Sequence, residues 1–131
     1  MHVETFDKEK HLPTMQEWLA ERGTGELRAD LLPTFGLVVS GESGPLALGF
    51  IYQTDSTACF IENYVANPKE TTEARSGALD ELTIQLANAA RNMGYKYLWS
   101  HTACPAIVAR AKRHGFVADE ANTYRSIFLC L

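Results

Sequence analysis

The sequence is short of most features that would set it apart from an ordinary small globular chain. It has no run approaching the roughly 18 apolar residues of a membrane span. Its opening stretch, Met-His-Val-Glu-Thr-Phe-Asp-Lys, holds no apolar signal core. Its three cysteines, Cys59, Cys104 and Cys130, are odd in number and widely spaced. That pattern does not make a disulfide framework and fits a reducing compartment, so a cytoplasmic protein is expected. Basic residues are few: 12 Lys and Arg stand against 16 Asp and Glu, for a net charge of −4. The one modest basic cluster is Arg110, Lys112 and Arg113. A protein that neutralises phosphates along nucleic acid needs a basic stripe, so neither nucleic acid nor a membrane is an expected partner. His101 and Cys104 have a gap that metals use, but no second pair completes a tetrahedral site. No metal is expected. No repeat, low-complexity run or linker breaks the chain.

What is present is sufficient for a single core. The 131 residues are 46% hydrophobic and 21% charged, within the usual range for soluble domains. One domain over residues 1–131 is expected, able to bury a core without disulfides or metals.

The pattern along the chain predicts an α/β order. Residues 2–6 alternate and read as a short strand. Leu12, Met15, Trp18 and Leu19 recur at helical spacing, so residues 9–22 read as an amphipathic helix ended by Gly23. Residues 24–34 are irregular or briefly helical. Strands follow at 35–40, 46–54 and 57–66, with a turn at 41–45 and a tight connection at Asp55-Ser56. Such short turns make antiparallel neighbours. Leu79, Leu82, Leu86, Ala89, Ala90 and Met93 then mark one face of a long helix closed by Gly94. Residues 95–100 are the next strand. A strand, helix and strand in this order place 95–100 parallel to 57–66. Pro105 opens another helix with Ile107, Val108 and Ala111 inward, and Gly115-Phe116 closes it. Tyr124–Leu131 reads as a last strand. Trp18 and Trp99 both read as core.

Several local phrases occur in an informative order. Leu37-Val38-Val39, Glu42-Ser43-Gly44 and Leu48-Gly49-Phe50-Ile51 precede Ile61-Glu62-Asn63-Tyr64-Val65-Ala66-Asn67-Pro68. Met93-Gly94-Tyr95 and His114-Gly115-Phe116 follow. Together these resemble the GCN5-related N-acetyltransferase (GNAT) family over nearly the whole chain. The resemblance implies a mixed, mostly antiparallel sheet flanked by helices, with a splayed parallel strand pair at its centre. It further implies transfer of an acetyl group from acetyl-CoA to an amine on a small molecule or peptide, and a possible homodimer.

The resemblance also implies a site. Tyr64, Val65 and nearby backbone hold the pantetheine arm, and Arg75, Ser76, Gly77 and Ala78 hold the pyrophosphate at a helix start. Cys104 stands where the family often has an asparagine by the coenzyme. Glu62 acts as base, directly or through water, and Tyr124 or Tyr64 replaces the tyrosine that usually protonates the leaving thiolate. The match departs from the family in two places. The phosphate-loop positions are Ala74, Gly77 and Leu79, of which only the middle glycine fits, and the family's tyrosine position is Ala111. An alternative reading is therefore a module that keeps the fold without acetyl transfer. Bland readings stand beside these: Glu62 as an ion-paired strand residue, and Thr71, Thr72 or Ser76 as an ordinary helix cap.

Overall fold

The computed structural model describes residues 1–25, 27–119, 121, 127 and 129–131. They divide into two compact units, Met1–Ser100 and His101–Leu131.

The first unit runs β1 (His2–Thr5), α1 (Lys8–Glu21), a 3-10 turn (Ala29–Leu31), β2 (Phe35–Gly41), β3 (Gly44–Tyr52), β4 (Ala58–Ala66), α2 (Thr72–Asn92) and β5 (Tyr97–Trp99). The strands form one sheet in the order β1-β2-β3-β4-β5. Every neighbouring pair is antiparallel except β4 and β5, which are parallel. The expected crossing is therefore present, with α2 as its connecting helix.

Side chains alternate across the sheet, so residues two apart share a face. On one face Val38, Leu48, Phe50 and Val65 pack with Met15 and Trp18 of α1. On the other, Gly49 lets Leu82 and Leu86 of α2 approach; a Cβ there would stand 3.4 and 3.3 Å from them. Both leucines are fully buried, and truncating either to alanine falls in the class that costs about 2–5 kcal/mol.

Some boundaries differ from the sequence reading. The β2–β3 turn is tighter than five residues: Gly41 pairs with Gly44, leaving Glu42 and Ser43 at the tip. Gly44 has φ 124°, a conformation glycine takes without a Cβ clash, so both strands run into the turn. The strand expected over 95–100 is only Tyr97–Trp99. Trp18 is buried as expected, but Trp99 is 54% exposed. It lies on β5, which borders β4 on one side and is the last strand of the described sheet.

The second unit holds α3 (Pro105–Arg113), with Cys104 as N-cap and Pro105 in the first turn. Gly115 has φ 89°, and the Phe116 N–H returns to the Ala111 carbonyl at 3.0 Å, closing the helix in the left-handed manner. Ile107, Val108 and Ala111 are half-buried. The strand expected at Tyr124–Leu131 falls largely outside the described residues. No described helix is long and apolar enough to cross a membrane. No group of three or more potential metal ligands occurs among the described residues.

Candidate functional site

The parallel pair opens early. β5 pairs with β4 only at Ala58, Cys59 and Phe60, and the Ser100 hydroxyl then donates to the Ile61 carbonyl at 3.0 Å. Among the described residues β4 continues to Ala66 along β3 alone. A strand edge can pair with an extended partner.

The strand is also bent at this point. Leu48 pairs with Val65 and Phe50 with Glu62, so Asn63 and Tyr64 together oppose Gly49. This is a β-bulge, a feature that re-aims backbone and side chains. Asn63 has φ 55°, a left-handed conformation that asparagine tolerates better than most residues.

Beyond the bulge the register fixes which backbone groups face the open edge. The Asn67 N–H donates to the Leu46 carbonyl at 2.8 Å, and Leu48 pairs with Val65. By the alternation of antiparallel ladders, Val65 turns its amide and carbonyl towards β3, and Ala66 turns its own outward. The Ala66 carbonyl accepts there from the Arg22 guanidinium at 2.6 Å. Of the segment singled out in the sequence, Val65 contributes a buried side chain on the α1 face, and its neighbour Ala66 supplies the outward backbone.

Glu62 lies opposite the buried Phe50, so its half-buried side chain is on the α1 face. Tyr52 and Phe60 are paired on the same face. The Phe60 and Trp99 rings meet edge to face, with centroids 5.5 Å apart. The Asn63 side-chain amide donates to the Tyr52 hydroxyl at 2.6 Å, and that hydroxyl donates to the Leu31 carbonyl at 3.1 Å. Burial pushes the Tyr52 phenol above its ordinary pKa and the Glu62 charge pushes it the same way, against the Asn63 hydrogen bond. The phenol is therefore held protonated.

Tyr64 faces the other way. Its hydroxyl donates to the Leu79 carbonyl at 2.8 Å and lies 2.9 Å from the Thr83 hydroxyl. It ties β4 to α2, on the side opposite Glu62.

The start of α2 differs from the loop expected at Arg75–Ala78. Thr71 is the N-cap, and its hydroxyl accepts from the Ala74 N–H at 3.1 Å. The Arg75 N–H already donates to the Thr71 carbonyl at 3.0 Å. The amides of Ser76, Gly77 and Ala78 lie deeper in the helix, where each is committed to the residue four before it. Ala78 is fully buried, whereas a Cβ at Gly77 would meet nothing within 4 Å. Free amides belong to the first turn, at Thr72 and Glu73. The Arg75 guanidinium remains close by, 3.5 Å from the Pro68 carbonyl and 3.3 Å from the Thr72 hydroxyl.

Cys104 belongs to the second unit, exposed, with its N–H on the Thr102 hydroxyl at 3.0 Å. Tyr124 lies outside the described residues. The structure thus brings Glu62, Tyr64 and Val65 onto one bulged strand and sets Arg75 at the following helix start. Tyr52, Asn63 and Arg22 join them without having been singled out. An asparagine interrupting a strand of apolar residues is the one sequence signal that marks the bulge.

No protein-family model matches the sequence, and no curated protein matches it. Solved structures do match. A ribosomal-protein-alanine N-acetyltransferase from Brucella melitensis biovar Abortus 2308 has TM-score 0.71 and 12% identity, over 98% of this chain and 100% of that one. An aminoglycoside acetyltransferase from an uncultured soil metagenomic sample, solved with sisomicin, has TM-score 0.69 and 12% identity, over 98% and 96%. Rv2747 from Mycobacterium tuberculosis, solved with CoA, has TM-score 0.68 and 15% identity, over 92% and 74%. The chain has the GNAT acetyltransferase fold. In this fold the parallel β4–β5 pair, which parts after Phe60 and Trp99, is the splayed pair expected from the sequence.

Its donor set suits coenzyme A. An outward strand edge matches the amides of a pantetheine arm, and a capped helix start with Arg75 beside it matches a pyrophosphate. Glu70 and Glu73 temper that charge but leave the first-turn amides in place.

Proposed function

We propose that the chain is a divergent GNAT N-acetyltransferase that moves an acetyl group from acetyl-CoA to an amine on a small molecule or peptide. The observation that carries this reading is the parting of β4 from β5 after Phe60 on a bulged strand, with the Glu62 carboxylate on one face of that strand. The pantetheine arm would lie along residues 62–66 and pair with the outward amide of Ala66, beside the carbonyl that already accepts from Arg22. The pyrophosphate would sit at the Thr72 and Glu73 amides with the Arg75 guanidinium.

Glu62 removes a proton from the acceptor ammonium. The amine nitrogen then attacks the thioester carbonyl, a nitrogen–carbon bond forms, the carbon–sulfur bond breaks, and the nitrogen releases its second proton to leave a neutral amide. The leaving thiolate takes up a proton to become the free thiol of CoA. Holding both reactants in one cleft supplies much of the acceleration, and general-base help from Glu62 adds to it. Tyr124 remains a proposed proton donor to the sulfur. Structural neighbours named for aminoglycoside and ribosomal-protein-alanine acetylation support an amine acceptor in general.

The departure of the helix start from the family's glycine pattern favours one second reading, a module of the same fold that has lost transfer. Calorimetric titration with acetyl-CoA separates the two. Micromolar binding with a raised melting temperature supports transfer. No binding at millimolar acetyl-CoA refutes it.

A further inference from the structure

Tyr52 stands at the centre of a relay whose direction is fixed by chemistry. A phenol has one proton and the Leu31 carbonyl can only accept, so that proton goes to Leu31 across 3.1 Å. The phenol oxygen then accepts, and the Asn63 carboxamide presents its NH2 at 2.6 Å. The relay therefore joins the left-handed residue of the β4 bulge, Asn63 at φ 55°, to the segment between α1 and β2.

Among the described residues the other polar bonds of that segment are local. The Leu31 N–H donates to Arg28 at 3.1 Å and the Leu32 N–H to Ala29 at 3.3 Å, and the Arg28 guanidinium pairs with Asp30 at 2.6 Å. Leu27 and Leu32 rest against the α1-face core, while Leu31 is 62% exposed. Apolar packing of this kind sets no precise angle; a directional bond from the sheet does.

We propose that Tyr52 is a positioning residue for the acceptor: through Asn63 and Leu31 it fixes the Ala29–Leu32 segment beside the bulge, on the face that carries Glu62. This rests on the acetyl-transfer reading. Shifting the segment relative to Glu62 requires breaking the Leu31 bond. The phenol's raised pKa, due first to burial, keeps the donated proton in place at neutral pH.

Amide hydrogen exchange on the full chain tests the tie, with and without acetyl-CoA. In Tyr52→Phe the Leu31 and Leu32 amides are expected to exchange several-fold faster, with Leu82 and Leu86 in α2 unchanged. Asn63→Asp provides a second variant. Its carboxylate takes the phenol proton for itself, so the same two amides are released although the Tyr52–residue 63 contact survives. With any amine that the wild type acetylates, Tyr52→Phe is expected to raise the acceptor KM several-fold at nearly constant kcat and constant acetyl-CoA affinity. A merely structural role would not produce that split. Unchanged exchange in both variants overturns the tie, and so does a fall in kcat without a change in KM. Failure of the wild type to bind acetyl-CoA overturns the acceptor role together with the transfer reading, and is distinguished by the missing melting shift.

Discussion

Arg22 Nη2 donates to the Ala66 carbonyl across 2.6 Å, so a side chain from the end of α1 stands where β5 would have paired had it continued. A charged donor makes one of the stronger hydrogen bonds, but Arg22 is exposed and gives up water to make it, which lowers the net gain. Arg22→Met is therefore expected to lower the unfolding free energy by about 1 kcal/mol, read as a lower urea midpoint at constant slope. Arg22→Lys should recover less than the whole loss, because an ammonium is more strongly hydrated and lacks the planar fork.

Glu62 separates the acetyl-transfer reading from the bland one. Glu62→Gln keeps shape and hydrogen-bonding capacity but removes the base. Acetylation of a responsive amine is expected to fall by about 10²–10⁴ while acetyl-CoA affinity holds. An unchanged rate would reduce Glu62 to a strand carboxylate.

The parts of the fold that were legible in the sequence are those with a strong local period. Leu82, Leu86 and Ala90 recur at helical spacing and are all buried, and Gly94 ends that helix with φ 93°. The start of α2 was not legible for a physical reason. Thr71, Thr72 and Ser76 all suit a cap, and the buried face begins only at Ala78, so the first turn and a half has no apolar period to announce it. The bulge was hidden because one extra residue on β4 leaves Ile61 and Val65 both buried and the run still reads as a strand. Tyr52 was missed because its partner Leu31 lies 21 positions away in a stretch without pattern. Trp99 was misread because an aromatic strand residue looks alike in the middle of a sheet and at its border.

Acid should loosen the β1–α1 junction. The Glu4 carboxylate is held below its ordinary pKa first by the Lys10 hydrogen bond and next by that of the buried His11. The His11 Nδ1 accepts the Asp7 N–H at 2.8 Å, so its Nε2 carries the proton given to Glu4 at 3.0 Å. Because the folded pKa is depressed, this contribution is complete above the ordinary glutamate value and fades as pH falls below about 4.3. Thermal melts between neutral and acid pH should show a shallower acid decline in Glu4→Gln than in the wild type.

Gly36 is required by its neighbour. It pairs with Phe50, and a Cβ at residue 36 would stand 2.5 and 2.6 Å from two carbons of that ring and 3.1 Å from the Gly49 carbonyl. Phe50 is fully buried and meets Phe6 edge to face at 4.7 Å, so the ring has little room to move. Gly36→Ala is expected to cost about 1–3 kcal/mol by overpacking, measured by chemical denaturation.

Gly77 makes the opposite case and tests where the coenzyme phosphates rest. If Gly77 lined a phosphate loop, a methyl group there would obstruct the ligand. It lies instead inside α2, its amide spent on the helix, with open space where a Cβ would go. Gly77→Ala is then expected to stabilise the chain by about 0.5–1 kcal/mol, the usual helix-interior difference between the two residues. Acetyl-CoA affinity should be retained, whereas Arg75→Ala should weaken it. A loss of binding in Gly77→Ala, with stability raised, would return the phosphates to the position that the family's glycine pattern implies and remove the first-turn amides of Thr72 and Glu73 from the site.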